Sequence, residues 1–72
     1  MKYDADEIAA AVNTKRQIKN RLTTRQAAAE IGVSNGTVHR AETRKPLSEK
    51  SFTKICHWLE LEPEQFFKQV EG

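Results

Sequence analysis

Residues 34–45 combine hydrogen-bonding side chains and cations within one short segment. Arg40 can donate two hydrogen bonds to O6 and N7 of guanine, and Asn35 can pair with N6 and N7 of adenine. Each residue also has an interpretation without a ligand: Arg40 is then an ordinary surface arginine, and Asn35 is a residue in the first turn of a helix. The residues suited to reading base edges are Asn35, Gly36, His39 and Arg40.

Gly36 and His39 contribute to this set in different ways. Gly36 offers only backbone, which would let a helix lie close to the floor of a groove or to a thymine methyl group. Alternatively, Gly36 carries no information about function. His39 would make binding sensitive to pH, because imidazole titrates near neutral pH. Its alternative is a hydrogen-bonding residue of the surface.

Hydroxyl and cationic side chains around this set are suited to phosphate. They are Arg25, Ser34, Thr37, Arg44 and Lys45. For Ser34, capping of a helix is a second role, and both roles can coexist. Any single cation could be a solvated charge instead. As a set, several should contact phosphate, so binding should weaken steeply with salt.

Charge is unevenly distributed along the 72 residues. Residues 1–14 carry a net charge of −2, residues 15–54 carry +7, and residues 55–72 carry −3. A basic middle between acidic ends indicates a surface that faces a polyanion. A solvated charged face, common on small helical proteins, is the alternative.

The length allows one domain, spanning residues 1–72, near the lower limit for a self-supporting core. Cys56 is the single cysteine of the sequence, so no internal disulfide can form, which fits a reducing compartment. Neither a signal peptide nor an apolar run of membrane-spanning length is visible. We therefore expect a cytoplasmic protein that uses no membrane, metal ion or cofactor.

Five short helices must position these residues, so the predicted fold is an all-α bundle. Their starts are marked by N-capping residues or a first-turn proline: Asp4, Thr23, Ser34, Ser48 and Pro63. The first helix ends before Arg21, and the second runs through Ile31 to Gly32, which suits a left-handed C-terminal position. The third covers about residues 34–43, because Pro46 disfavours helix in the residue before it.

The fourth and fifth helices are predicted from apolar residues at helical spacing. The fourth turns Phe52, Ile55, Cys56 and Leu59 inward, and the fifth carries Phe66, Phe67 and Val70.

Asn35-Gly36 poses a contradiction, because this dipeptide is a strong signal for a tight β-hairpin. A hairpin would need alternating apolar and polar residues on both flanks. Instead Val33, Thr37 and Ala41 recur at a helical spacing of four. We therefore place the pair in the first turn of the third helix, where the usual cost of glycine, about 1 kcal/mol, is softened.

The segment of about residues 23–43 is predicted to form a helix-turn-helix. Two helices joined by a turn of three or four residues cross steeply. Ala28 is the small residue at the crossing, and Gly32 allows the sharp exit. Val33 fills the turn and Val38 anchors the second helix to the core, which leaves the base-reading set on the outer face.

The segment LTTRQAAAEIGVSNGTVHRAE, residues 22–42, resembles the helix-turn-helix family of phage Cro and repressor proteins. This is the lambda-repressor-like fold, also called the xenobiotic-response-element family. The resemblance covers the chain from about Ile8 to Phe67, and it rests on a constellation formed by Ala28, Gly32, Val33, Ser34, Val38 and Glu42.

The resemblance implies that the third helix enters the major groove of DNA. It also implies that Thr24 contacts phosphate, at the position where the family usually has a glutamine. Glu42 matches a common acidic position near the end of the third helix. Because the chain ends soon after the fifth helix, it looks closer to a Cro-like protein than to a larger repressor with an effector domain.

Trp58, Phe66 and Phe67 are candidates for a dimer interface. Two consecutive phenylalanines on one short helix cannot both face the same core, and an exposed aromatic indicates an interface. The alternative is that both pack against the first helix. The resemblance implies dimerisation through this C-terminal region, and a homodimer on DNA would span half-sites about 34 Å apart.

Cys56 and His57 are adjacent, but neighbours in sequence do not face each other on a helix. Because no second cysteine joins them, neither a zinc site nor a catalytic pair is expected. Cys56 is most simply a small core residue.

These patterns favour sequence-specific binding of double-stranded DNA and regulation of transcription, in the manner of a Cro-like phage or prophage repressor. An antitoxin or restriction–modification controller is an alternative within the family. A helical protein-interaction module without DNA binding is an alternative of another class. An enzyme is not expected, because no constellation of nucleophile, base and orienting group is visible.

Overall fold

The computed structural model of the chain describes residues 3–67, which fold into four α-helices followed by a 3-10 helix. Helices α1 to α4 span Ala5–Ile18, Thr24–Ile31, Asn35–Glu42 and Glu49–Leu59, and the 3-10 helix spans Pro63–Phe66. Within residues 3–67 no β-strand forms, although Tyr3 and Phe67 make an isolated antiparallel bridge. The all-helical class expected from the sequence is confirmed, with one α-helix fewer.

Local hydrogen bonds explain why each α-helix begins where it does. The four N-caps are the predicted ones, namely Asp4, Thr23, Ser34 and Ser48. Thr23 and Gln26 form a reciprocal capping box, in which each side chain accepts a hydrogen bond from the other residue's backbone N–H. These bonds satisfy donors that the first helical turn leaves without an intrahelical partner.

The connection between α2 and α3 consists of residues 32–34. Gly32 adopts the left-handed conformation with φ of 89°. Its N–H and that of Val33 both donate to the carbonyl of Ala28, at 2.8 and 3.0 Å. The chain therefore turns from α2 into α3 within three residues, and Asn35 and Gly36 begin α3 instead of forming a hairpin.

Exchanging each of the two glycines of this region for alanine should change stability in opposite directions. Gly32→Ala should lower the free energy of unfolding by about 1 kcal/mol, because an L-residue is strained at this positive φ. A Cβ at Gly32 meets no atom within 4 Å, so the cost is conformational. Gly36→Ala, in α3, should raise the free energy of unfolding by about 0.5–1 kcal/mol, because alanine has the higher helix propensity. Urea unfolding measures both changes in the free energy of unfolding. Equal losses of stability in the two variants would contradict the backbone conformations assigned to Gly32 and Gly36.

The core lies where all four α-helices and the 3-10 helix meet. Helix α3 packs against α1 and α2, and α4 contacts α1 and α2. The core cluster consists of Ile8, Val12, Ala27, Ala28, Ile31, Val38, Ala41, Phe52, Ile55, Cys56 and Phe66. Among residues 3–67 no polar or charged residue is fully buried, so apolar burial fixes the orientation of α3.

The fifth predicted helix is a correction. After the four residues of the 3-10 helix, Phe67 is extended, with φ of −70° and ψ of 134°. The N–H of Asp4 donates to the carbonyl of Phe66 at 2.6 Å. This long-range bond and the bridge to Tyr3 hold the chain beside residues 3–4 instead of continuing a helix. Val70, also assigned to that helix, lies outside the described residues.

Candidate nucleic-acid interface

Helix α3 has two faces of opposite character. Val38 and Ala41 point into the core and are 0% and 2% exposed. The other face is exposed and carries small or polar side chains, namely Asn35, Gly36, His39, Arg40 and Thr43 at its C-cap. Residues at these spacings share one side of a helix. The structure therefore brings all four residues of the base-reading set onto one exposed surface, which we call the α3 face.

Two hydroxyl groups form hydrogen bonds at the N-terminus of α3. The Ser34 hydroxyl accepts a hydrogen bond from the N–H of Thr37 at 3.2 Å, which establishes its capping role. The Ser34 and Thr37 hydroxyl oxygens also lie 2.9 Å apart in a hydrogen bond. Ser34 is exposed and Thr37 is half-buried. Both therefore lie at the beginning of the α3 face, where a helix N-terminus favours an anion.

The loop after α3 places Lys45 beside Arg40. The N–H of Lys45 donates to the carbonyl of Arg40 at 2.9 Å, and the Thr43 hydroxyl donates to the carbonyl of His39 at 2.8 Å. A shallow depression follows, lined by His39, Arg40, Thr43, Lys45 and Pro46. Lys45 thus borders the α3 face.

Arg44 takes a different direction from Lys45. It adopts a left-handed backbone conformation with φ of 62°. Its guanidinium Nε donates to the carboxylate of Asp6 in the first turn of α1. Both side chains of this ion pair are largely exposed, at 61% and 76%. Arg44, predicted to contact phosphate, therefore has an intramolecular carboxylate partner that the sequence did not reveal.

The N-terminus of α2 carries the remaining predicted phosphate contacts. Thr24 is the first residue of α2 and is half-buried, and Arg25 follows it with an exposed side chain. Behind this helix, Lys54 of α4 donates to the carbonyl of Gly32 at 3.2 Å. This hydrogen bond connects α4 to the turn between α2 and α3. No sequence pattern indicated this role of Lys54.

Arg16 and Glu42 form the main polar contact that holds α3 in place. Arg16 Nε donates to Glu42 Oε2 at 2.5 Å, and Nη2 donates to Oε1 at 2.7 Å. Arg16 Nη1 donates to the carbonyl of Leu22 at 2.7 Å. The two side chains are 15% and 16% exposed. The hydrogen bonds to Glu42 raise the pKa of Arg16 against the opposing effect of burial.

This pair links α1 to the C-terminal end of α3 across 26 positions of sequence. The resemblance singled out Glu42, but no signal along the chain identified Arg16 as its partner. A bidentate pair of this geometry is more specific than a single contact. Arg16 is therefore a positioning residue of the α3 face that sequence reasoning missed.

Trp58, predicted for a dimer interface, is engaged within the chain. Its indole Nε1 donates to Glu30 Oε1 at 3.0 Å, and Lys15 Nζ lies 5.2 Å from the ring centroid. Lys15 also donates to the carbonyl of Trp58, and Lys19 pairs with Glu30 at 3.1 Å. The half-buried indole thus links α1, α2 and α4.

These contacts predict an acid-sensitive signal from Trp58. The indole N–H and then Lys19 lower the pKa of Glu30 below its ordinary value of 4.5. Because the folded-state pKa is lowered, the stabilisation is present above the unfolded-state pKa and is lost as the pH falls through the folded-state pKa. We expect Trp58 emission to change with a midpoint below pH 4.5. Glu30→Gln should abolish this step, Glu60→Gln should retain it, and an unchanged step in Glu30→Gln would contradict the assignment.

The two phenylalanines separate because Phe67 leaves the helix. Phe66 is 4% exposed and belongs to the core, so it cannot form part of an exposed dimer interface. Phe67 remains 43% exposed. Both rings contact Phe52, with centroids 6.3 and 6.0 Å away. One short helix does not carry both rings, which is a correction, but one of the two rings is exposed as predicted. The interface prediction therefore rests on Phe67 and the partly exposed Trp58.

Cys56 and His57 lie on different sides of α4. Cys56 is fully buried, and burial raises the pKa of its thiol to about 11. His57 is exposed. Over the part of the chain that the structure describes, no three side chains of the metal-ligating types come together, and no helix is long and apolar enough to cross a bilayer.

Comparison of the chain with family models, curated proteins and solved structures gives no match. The case for a function therefore rests on the α3 face and the residues that hold it.

Proposed function

We propose that the chain binds double-stranded DNA sequence-specifically and regulates transcription. In this proposal α2, the turn and α3 act as a helix-turn-helix. The observation that carries it is the α3 face, an exposed surface of small and polar side chains on a helix whose other side is anchored in the core. A helix anchored on one side and polar on the other is suited to insertion into a polar groove.

The dimensions of α3 agree with this role. An α-helix with its side chains is about 10–12 Å in diameter, and the major groove is about 12 Å wide, so one helix fits across it. The eight residues of α3 extend about 12 Å along the helix axis. Arg40 would donate two hydrogen bonds to a guanine, and Asn35 would pair with an adenine. His39 lies between them along the helix. Gly36 adds no side chain, so the backbone of α3 can approach base edges closely.

Phosphate contacts would fix the orientation of α3 in the groove. Lys45 borders the α3 face, and Arg25 lies in the first turn of α2. The hydroxyls of Ser34 and Thr37 lie at the N-terminus of α3, and Thr24 occupies the start of α2. Both helix N-termini add partial positive charge that favours a phosphate.

The resemblance to phage Cro and repressor proteins supports a Cro-like repressor within this proposal. Such a regulator would act in the cytoplasm of a bacterial or phage-infected cell. It would bind its operator as a homodimer through two α3 faces about 34 Å apart. An antitoxin or restriction–modification controller would use the same face.

A protein-interaction module is the second candidate function, and one observation favours it. Ile18, at the end of α1, is 76% exposed, and Leu61 is 39% exposed. These side chains line an apolar groove between α1 and α4, on other elements than the α3 face. A chain of this class would not bind duplex DNA in a salt-dependent manner.

Fluorescence anisotropy with a random-sequence duplex tests the proposal directly. If about four phosphates are contacted, affinity should fall about 100-fold between 50 and 200 mM salt. Lys45→Gln and Arg25→Gln together should reduce the log–log slope by about 1.8 for each chain bound. Lys19→Gln removes the cation that pairs with Glu30, away from the α3 face, and should leave the slope unchanged. Absent or salt-independent binding would overturn the proposal.

A further inference from the structure

The ion pair between Asp6 and Arg44 places a carboxylate against the loop that follows α3. Arg44 lies between Thr43, the C-cap of α3, and Lys45, which borders the α3 face. Its Nε donates to Asp6, and both side chains remain largely exposed to water. A DNA phosphate brought to this loop would therefore compete with Asp6 for the same guanidinium group.

We propose that Asp6 is an electrostatic restraint on Arg44, which lowers the affinity of the chain for duplex phosphate. This inference rests on the proposed function. It assigns to Asp6, a residue of α1 outside the groove-facing helices, control over the strength of DNA binding.

Three features of the fold support this role. Asp6 lies in the first turn of α1, where the helix dipole favours a negative charge, and its backbone N–H donates to the Asp4 cap. The backbone that carries the carboxylate is therefore held at the start of α1. Arg44 has a left-handed backbone conformation, and it lines a depression shared with Asp6 and Glu42 instead of the depression beside the α3 face.

The ion pair between Asp6 and Arg44 is weak enough to lower DNA affinity without preventing binding. Exposed ion pairs contribute little to folding, because water screens them. A phosphate carries the same charge as the carboxylate and can replace it at the guanidinium group. Asp6 would therefore lower affinity by a modest factor without preventing Arg44 from reaching DNA. Because phosphates carry no sequence information, the factor should be the same for every duplex.

The test measures binding of the full chain to two duplexes of unrelated sequence at low salt. Asp6→Asn should tighten binding about threefold on both, the size expected for release of one exposed ion pair. Glu7→Gln is the matched control, since it removes the same charge from the same helical turn beside the residue that pairs with Arg44. Its effect should be clearly smaller. Thermal unfolding of each variant establishes that the fold is retained.

A double-mutant cycle decides whether the effect passes through Arg44. In an Arg44→Gln background, Asp6→Asn should no longer tighten binding. Equal gains from Asp6→Asn and Glu7→Gln, no gain from Asp6→Asn, or a gain that persists without Arg44 would overturn the restraint while leaving DNA binding intact. If the unmodified chain shows no salt-dependent binding, the proposed function fails and the restraint fails with it.

Discussion

Arg16→Met is expected to lower the free energy of unfolding by about 2–4 kcal/mol, because it leaves the carboxylate of Glu42 in a mostly buried position without its partner. The change also removes the donor to the carbonyl of Leu22. The expected cost lies somewhat below that of a completely buried pair, since about a sixth of each side chain still meets water. Urea denaturation followed by circular dichroism measures it.

Arg44→Met is the matched control for this prediction. It also removes an arginine from an ion pair with α1, but this arginine lies in the loop after α3 and the pair is largely exposed. Its cost should lie within about 0–1 kcal/mol. Replacing both Arg16 and Glu42 by apolar residues should restore part of the loss, because no unpaired charge then remains. Similar costs for Arg16→Met and Arg44→Met would contradict the assigned role of the Arg16–Glu42 pair.

Arg40→Ala is expected to remove the preference of the chain for one base pair, at a cost of about 1–3 kcal/mol on the preferred duplex. The physical reason is loss of the bidentate contact to guanine that the proposed function assigns to the α3 face. Selection of DNA with the unmodified chain first defines the preferred sequence. Binding of both proteins to all four base pairs at each position then locates the effect.

Lys45→Ala is the matched control for Arg40→Ala, since it removes a neighbouring cation that would contact phosphate. It should weaken binding to every duplex by a similar factor. Both residues are exposed, so neither substitution should change folding stability by more than about 0.5 kcal/mol. A uniform loss in Arg40→Ala would make Arg40 a phosphate contact and contradict base reading.

Local hydrogen-bonding chemistry made most of the helix boundaries predictable. A hydroxyl or carboxylate at Asp4, Thr23, Ser34 or Ser48 satisfies nearby N–H groups, so its effect can be read within a few residues. Gly32 is similar, because its left-handed conformation is needed at the site itself. The hairpin signal of Asn35-Gly36 was overridden because its flanks have helical periodicity.

Contacts between distant residues could not be predicted in the same way. Arg16 and Glu42 are 26 positions apart, and Arg44 and Asp6 are 38 apart. The sequence contains many other residues of opposite charge that could pair. Only the packing of α1 against α3 selects these partners. Phe67 shows the same limit, since its extended conformation depends on Tyr3 at the other end of the chain.

The base-reading set was predicted as one surface because α3 is short and regular. Once Val38 and Ala41 are assigned to the core, helical geometry fixes the opposite side. The positions of the cations around that side depend on loops, where no periodicity applies. Lys45 therefore borders the α3 face as expected, whereas Arg44 is turned to Asp6.

Mapping of amide chemical shifts in the ¹⁵N-labelled chain, titrated with duplex DNA, tests the central claim that the α3 face enters the major groove. The largest changes should fall on residues 35–45 and on the first turn of α2. The apolar groove that includes Ile18 and Leu61 should change little at one chain per half-site. Changes concentrated at that groove, or no changes at any DNA concentration, would contradict the account.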